Sequence, residues 1–453
     1  LQMNKSDQIK EIFDGLKAVQ KEMFLKFFNS KSRKNVFHCA RRLGKTYALV
    51  SIACCVALYK PNQYIRFATY TQKALKNIVL PIFKTVWADI PASQRPRYNS
   101  QSGVYKFLNG SEIHLAGVNN GRADTLRGTS ADLCLIDEAG FVDDLSYLVE
   151  SVMLPQLINN PDAKLIMASS SPLTPAHEFA EYVHQAVSGD FYSGYDIYKG
   201  EYPQHTIDEF CRESGGSSST TWRREYLNEI IVDTEISIIP EWNDSLIQEI
   251  PRNDVFPYSH KYVAMDVGFR DKTAILFGYY DFPSAKLIIE DEFTISGVET
   301  TTKNISEDVK QKESELGYKP YRRIGDNNNL ILLNDLSVDF NLHFTATDKE
   351  ALSAMVNEAR LWVQNNRISI NPKCEQLIGC LKYGVFQNEK RQEFGRSRNY
   401  GHYDALAALI YLVRNIDQST NPIPVNHKAN FDTYIAVNEA DNSHLELKKI
   451  FNL

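Results

Sequence analysis

The run Cys39-Ala40-Arg41-Arg42-Leu43-Gly44-Lys45-Thr46 constrains the fold of this chain more than any other feature. It lies between the apolar triplet Val36-Phe37-His38 and the apolar stretch from Tyr47 to Leu58, which makes it the turn from a strand into a helix. Backbone N–H groups at such a helix start cradle phosphate oxygens, and the helix dipole favours their charge. In that setting Gly44 admits a close backbone approach, Lys45 reaches the β- and γ-phosphates, and the Thr46 hydroxyl ligates Mg2+. The glycine that usually opens this loop is replaced by Cys39, but the close approach depends most on Gly44. Arg41, inside the loop, is placed to act on the transferred phosphate in cis.

Farther along, Leu133-Cys134-Leu135-Ile136 is an apolar strand ending in Asp137 and Glu138. Asp137 suits the Mg2+ shell, and Glu138 suits the polarisation of an attacking water. Either motif alone is a weak signal. Together, in this order and with strand context at both, they point to hydrolysis of a nucleoside triphosphate, with ATP and Mg2+ as the expected ligands.

A chain of 453 residues is too long for one ordinary domain, and 43% hydrophobic content supports full-sized cores. No apolar run reaches membrane-spanning length, so no membrane association is expected, and the charged first residues are not expected to be a signal peptide. Seven scattered cysteines without a Cys-x-x-Cys pair argue against zinc and disulfides and fit a reducing compartment. A net charge of −6 gives no global sign of nucleic-acid binding, so any DNA contact must come from local patches.

The pattern predicts one helix over 5–30, then strands at 35–39, 64–69, 104–108, 111–116, 132–136 and 164–168. Helices are predicted at 45–59, 71–88 and 144–158. This alternation predicts an α/β domain with a doubly wound, mostly parallel sheet over 1–235, a P-loop NTPase fold, with a lid-like subdomain near 177–235. After the break at Gly215-Gly216-Ser217-Ser218-Ser219 and a short helix at 220–230, a proline-punctuated stretch over 236–257 reads as a linker. Residues 258–418 follow a second plan. Strands 262–266, 273–280 and 286–292 form a meander, followed by a helix at 299–316, a strand at 321–325 and helices at 349–365 and 403–415. That order is RNase H-like, a mixed α/β fold. Residues 419–453 read as a polar tail.

In this second block Asp266 and Asp326 end apolar strands, and Asp404 opens an apolar helix. Three converging carboxylates repel each other unless cations neutralise them. Two Mg2+ or Mn2+ ions about 4 Å apart would do so and would support phosphodiester hydrolysis. Glu290 or Glu292 could replace Asp326. Asp271 and His402 could support the ligands or shuttle a proton, with a surface position the plainer reading for both. Between the strand at 321–325 and the last helix, Lys382, Lys390, Arg391, Arg396 and Arg398 interleave with Tyr383, Phe394 and Tyr400. That mixture suits a loop tracking a phosphate backbone, with a solvated hairpin as the plain alternative.

A P-loop ATPase followed by a three-carboxylate nuclease resembles the large terminase subunit of tailed bacteriophages, over residues of about 20 to 415. Those motors cut concatemeric DNA and pump it into a procapsid. The Arg41-Arg42-Leu43-Gly44-Lys45-Thr46 form is similar to the family's variant loop, and Asp137-Glu138 to its acidic pair. The resemblance implies a coupling motif at Ser169-Ser170-Ser171, with Ser170 near the nucleotide, and an adenine-contacting glutamine at Gln20. It implies that Arg127, beside Gly128, is a finger reaching the nucleotide of a neighbouring subunit. The implied partners are double-stranded DNA, a small terminase subunit and a portal ring on the procapsid, with a homo-oligomeric ring of this chain assembled there. The implied location is the bacterial host cytoplasm, transiently at the portal. The competing expectations are a P-loop DNA helicase or remodelling ATPase with a non-cleaving second domain, and an integrase-like nuclease, against which the N-terminal phosphate loop speaks.

Overall fold

The computed structural model describes residues 3–250, 258–268, 272–348, 351–387 and 390–424. Eight strands form the first sheet: β1 (Lys34–Cys39), β2 (Tyr64–Thr69), β3 (Arg97–Asn99), β4 (Val104–Lys106), β5 (Glu112–Gly117), β6 (Leu133–Asp137), β7 (Lys164–Ser169) and β8 (Tyr192–Tyr195). Their spatial order is β3-β4-β5-β2-β6-β7-β1-β8. From β5 to β8 every neighbouring pair is parallel, while β3 and β4 add an antiparallel edge. The central strands are apolar throughout because both faces are covered. Phe37, Phe67 and Leu135 pack on one face with the helices Ala18–Asn29 and Lys45–Tyr59. Val36, Ile136 and Met167 pack on the other with Leu148, Val152 and Phe179. The C-terminal ends of β1, β6 and β7 share one rim, where open α/β sheets bind their ligands.

The second sheet contains β9 (His260–Asp266), β10 (Lys272–Asp281), β11 (Lys286–Ser296), β12 (Arg322–Gly325), β13 (Phe344–Ala346) and β14 (Ile368–Ile370), in the order β13-β12-β9-β10-β11-β14. The strands β9, β10 and β11 form the antiparallel meander, and β12 runs parallel to β9. The helix Asp404–Arg414 packs across β9, β10 and β12. The two sheets are those of a P-loop domain followed by an RNase H-like domain.

Several elements differ from expectation. The helix expected over 5–30 is two helices, Lys5–Asp14 and Ala18–Asn29, parted where the Gly15 N–H caps the first on Glu11 and Phe13 carbonyls. The helix expected at 71–88 carries a π turn at Leu75–Val79, just before Pro81, which has no N–H to give. The helix expected at 144–158 is the short helix Leu145–Tyr147, a π turn at Leu148–Met153 and a 3-10 turn at Leu154–Leu157 around Pro155. The short strands β3, β8, β13 and β14 and the helices Leu330–Phe340 and Glu375–Tyr383 were not anticipated. Part of the expected linker is packed rather than free. Ile236, Ile238, Ile239 and Leu246 join the second core, and isolated bridges link Ser237 to Val385 and Ile247 to Ile370. The start of the expected tail runs beside β9, with Thr420 O 2.7 Å from His260 Nε2. Residues 425–453 and Asp271 lie outside the described residues.

Candidate active sites

The first site forms on the rim of the parallel sheet. Gly44 has φ +79°, and a Cβ there would meet Gln20 Nε2 at 2.1 Å, so the loop needs glycine for both conformation and space. Gln20 Nε2 donates to the Gly44 carbonyl at 3.2 Å, which places this side chain against the phosphate loop. Lys45 is buried, and its Nζ lies 2.7 Å from Glu138 Oε1. Burial works against its charge, but Glu138 and Asp137 together hold the ammonium above its usual pKa. Thr46 Oγ1 donates to the Asp137 carboxylate at 3.0 and 3.1 Å. Burial, and then Glu138 beside it, push the Asp137 carboxyl up to about 7.

Glu138 sits in the left-handed region at φ +55°, a conformation that non-glycine residues adopt at a cost. That kink turns its carboxylate from β6 back over Lys45. Ser169 Oγ, at the end of the neighbouring β7, accepts the Gly140 N–H at 2.9 Å and donates to Glu138 Oε2 at 3.4 Å. Of the serine cluster, Ser169 rather than Ser170 therefore touches the acidic group. Ser170 is buried, and Ser171 Oγ lies 2.8 Å from His38 Nε2. Ser169 is the last residue of β7, one position beyond Ala168, which pairs with Asp137.

The arginines are otherwise engaged. Arg41 Nε pairs with Glu225 Oε2 at 3.1 Å, and its N–H donates to the Glu225 carbonyl at 2.9 Å. Arg42 has φ +69°, and its carbonyl accepts from the Tyr202 hydroxyl at 2.6 Å. Both contacts tie the region expected as a lid to the phosphate loop. Arg127 pairs with Asp124 and donates to the Tyr147 hydroxyl at 2.7 Å, on an exposed surface. Within one chain it does not reach the nucleotide rim.

The second site lies at the end of β9 and β12. Gly325 is in register with Met265, so Asp326 and Asp266 follow side by side on adjacent parallel strands. Asp326 accepts the Asn328 N–H at 3.0 Å. Asp404 and Tyr411 lie on the helix packed across these strands, and the Tyr411 hydroxyl bonds Asp266. Burial, then Asp266 and Asp326, and finally Asp404 push the Tyr411 phenol far above its usual pKa, so it remains a donor. Of the three carboxylates, Asp266 bonds this hydroxyl, while Asp326 and Asp404 act on it by charge. The donor set, hard carboxylate oxygens alone, is that of Mg2+ or Mn2+. Among the described residues, however, no three His, Cys, Asp or Glu side chains stand in an arrangement that could hold an ion as they are placed.

The alternatives to Asp326 have other partners. Glu290 accepts from the Tyr318 hydroxyl. Glu292 accepts the Gln376 and Leu377 N–H groups at 2.6 and 2.9 Å, capping the helix Glu375–Tyr383. His402 Nε2 lies 2.7 Å from the Phe394 carbonyl, and the His402 backbone N–H donates to Asp404 Oδ2 at 3.3 Å.

The basic loop makes contacts inside the chain. Lys382 pairs with Asp244 at 3.2 Å, and Arg391 Nη2 donates to the Glu235 carbonyl at 2.7 Å. Arg398 Nη1 reaches across to the first domain, to Ser146 Oγ at 2.9 Å and Glu150 Oε1 at 3.2 Å. Ser397 Oγ donates to the Ala176 carbonyl at 2.8 Å. Arg396 lines a cleft of about 1910 Å³ between the two domains, together with Asp143, Glu150, His177, Lys272 and Glu299. Lys390 is exposed on the same loop. Lys382, Arg391 and Arg398 thus each have a partner within the chain. Sequence shows that such residues are charged and does not show which acid or carbonyl they meet.

Residues 36–229 match the family described as terminase large subunit, T4likevirus-type, N-terminal. No curated protein matches the chain. Among solved structures, the chain is similar to the large terminase of bacteriophage HK97, at 13% identity and a TM-score of 0.50, covering 88% of this chain and 94% of that one. It also resembles the large terminase of a thermophilic bacteriophage in complex with ADP, at 14% identity and a TM-score of 0.42, covering 88% and 99%. A shorter likeness is to the large terminase nuclease domain of bacteriophage SPP1 with bound Mn, at 17% identity and a TM-score of 0.30, covering 38% of this chain and 96% of that one.

Proposed function

We propose that this chain, a large terminase subunit of the tailed-phage type, is the packaging motor that hydrolyses ATP to move double-stranded DNA into a procapsid and cuts the concatemer with its second domain. The observation that carries the first half is the convergence of Lys45, Thr46, Asp137, Glu138 and Ser169 on one sheet rim. The phosphates take the loop ahead of Lys45, and their charge draws its ammonium away from Glu138. Glu138, freed, takes a proton from the attacking water while Ser169 holds its other oxygen. Gln20, fixed to the Gly44 carbonyl, borders the nucleotide. Mg2+ held by Thr46 and Asp137 would neutralise phosphate charge.

In the second half, Asp266, Asp326 and Asp404 would hold two Mg2+ or Mn2+ ions, which would supply the activated water and stabilise the leaving oxygen. Residues 1–235 are then the motor and 258–418 the nuclease. A small terminase subunit, a portal ring on the procapsid and a ring of identical subunits complete the assembly. The work is done in the host cytoplasm at the portal. Among the described residues no helix is long and apolar enough to cross a membrane.

A second reading is a P-loop DNA helicase or remodelling ATPase whose second domain binds without cutting. Nicking of supercoiled plasmid separates the two. The packaging reading expects nicking with Mn2+, its loss in EDTA, and its loss in Asp266→Asn with ATPase activity unchanged. Cleavage by Asp266→Asn at the wild-type rate would sink the two-metal assignment.

A further inference from the structure

Tyr411 follows Asp404 by two turns of the same helix, so both side chains face the strand ends of β9 and β12. It is 7% exposed, and its hydroxyl bonds Asp266. A buried tyrosine needs some partner for its hydroxyl, and a backbone carbonyl would satisfy it equally well. Here the partner is the carboxylate at the end of the first strand of the nuclease domain, beside which Asp326 lies in register. Asp326 is itself held by the Asn328 N–H. Each of these two strand-end carboxylates therefore has a donor that fixes one of its oxygens.

We propose that Tyr411 is a positioning residue of the nuclease centre: its hydroxyl holds one oxygen of Asp266 and turns the other toward the divalent cation. The inference rests on the three-carboxylate reading above. Hydrogen bonds to ligating carboxylates orient them, and removing such a partner typically weakens metal binding about 10- to 100-fold. Tyr411 belongs to the second hydrophobic core, and phenylalanine fills the same space without the hydroxyl.

The test is Mn2+ titration of the full chain, free of nucleotide and DNA, followed by the electron paramagnetic resonance of free Mn2+. Wild type, Tyr411→Phe and Asp266→Asn are compared. Tyr411→Phe should bind Mn2+ about 10- to 100-fold more weakly, with unchanged thermal melting and ATPase rate. Its nicking should recover as Mn2+ is raised. Wild-type or tighter Mn2+ binding by Tyr411→Phe, with binding lost in Asp266→Asn, would overturn the proposal and leave the hydroxyl a merely satisfied core group. If Asp266→Asn also keeps wild-type binding, the carboxylate reading itself falls. Should the phenylalanine variant fail to fold, Tyr411→Met removes the same donor with a more adaptable side chain.

Discussion

Lys45 and Glu138 are each other's partners at 2.7 Å, although each is suited to meet the nucleotide or its water. A buried ammonium needs a counter-charge, and before the phosphates arrive the nearest one is Glu138. We propose that the pair holds the Glu138 carboxylate until a nucleotide competes for Lys45. Glu138→Ala should then hydrolyse ATP about 10²- to 10⁴-fold more slowly, the usual range for a lost general base. It should still bind ATP at wild-type affinity or better, because Lys45 no longer has to leave a partner. Steady-state hydrolysis and fluorescent-nucleotide titration check the two halves. Hydrolysis at the wild-type rate would remove Glu138 from the role of base. Weakened binding would mean that the pair supports the loop rather than competing with it.

The helix Glu178–Ser188 lies on the face of the first sheet that carries the domain junction. Its first residue, Glu178, is 7% exposed, and burial pushes its carboxyl up to about 7, with Asp144 adding to the rise and Arg398 opposing it. The folded state thus prefers the neutral form. Stability is highest at low pH, falls as pH rises from the unfolded value of 4.5 toward 7, and is flat above that. Integrated over that window the loss is about 3 kcal/mol at most. Glu178→Gln should match wild type near pH 4.5 and melt higher at pH 8. Equal melting at pH 8 would show that the carboxylate is stabilised by contacts its burial does not reveal.

Long apolar elements at this scale were legible: β1, β2, β6 and β7 have the burial that their apolar runs demand. The strand β8, Tyr192-Ser193-Gly194-Tyr195, was not legible, because its polar residues are covered only once β1 pairs with it. The phosphate loop could be read because its chemistry is contiguous in sequence. Tyr411 could not, because its role exists only where β9, β12 and the last helix meet. The intrachain partners of the basic loop were not legible for the same reason, since Glu235, Ser146 and Glu150 are remote from it in sequence.

Across the whole molecule, Arg398 joins the hairpin of the second domain to the segment that follows the acidic pair, and Ser397 joins it to Ala176, beyond β7. Arg398→Ala should speed hydrogen exchange over residues 145–153 while leaving DNA affinity at low salt unchanged. An affinity loss with a positive shift in the salt slope would return this arginine to the phosphate backbone. At the scale of an assembly, we propose that Arg127 acts between subunits. Its pair with Asp124 and the bond to Tyr147 lie on an exposed surface, where ion pairs contribute little and open readily. Among the described residues, its contacts are Asp124 and the hydroxyl and ring of Tyr147. A neighbour's nucleotide in a ring would supply a stronger counter-charge, since positive charge on the transferred phosphate is a recurrent device of such motors. Arg127→Ala should then bind ATP normally as a free chain but show no stimulation on assembly. Mixing Arg127→Ala with Glu138→Ala subunits should restore part of the assembled turnover, because some interfaces join an intact arginine to an intact base. If the mixture stays inactive where wild type assembles, and Arg127→Ala alone keeps full assembled turnover, the pairing with Asp124 is all that Arg127 does.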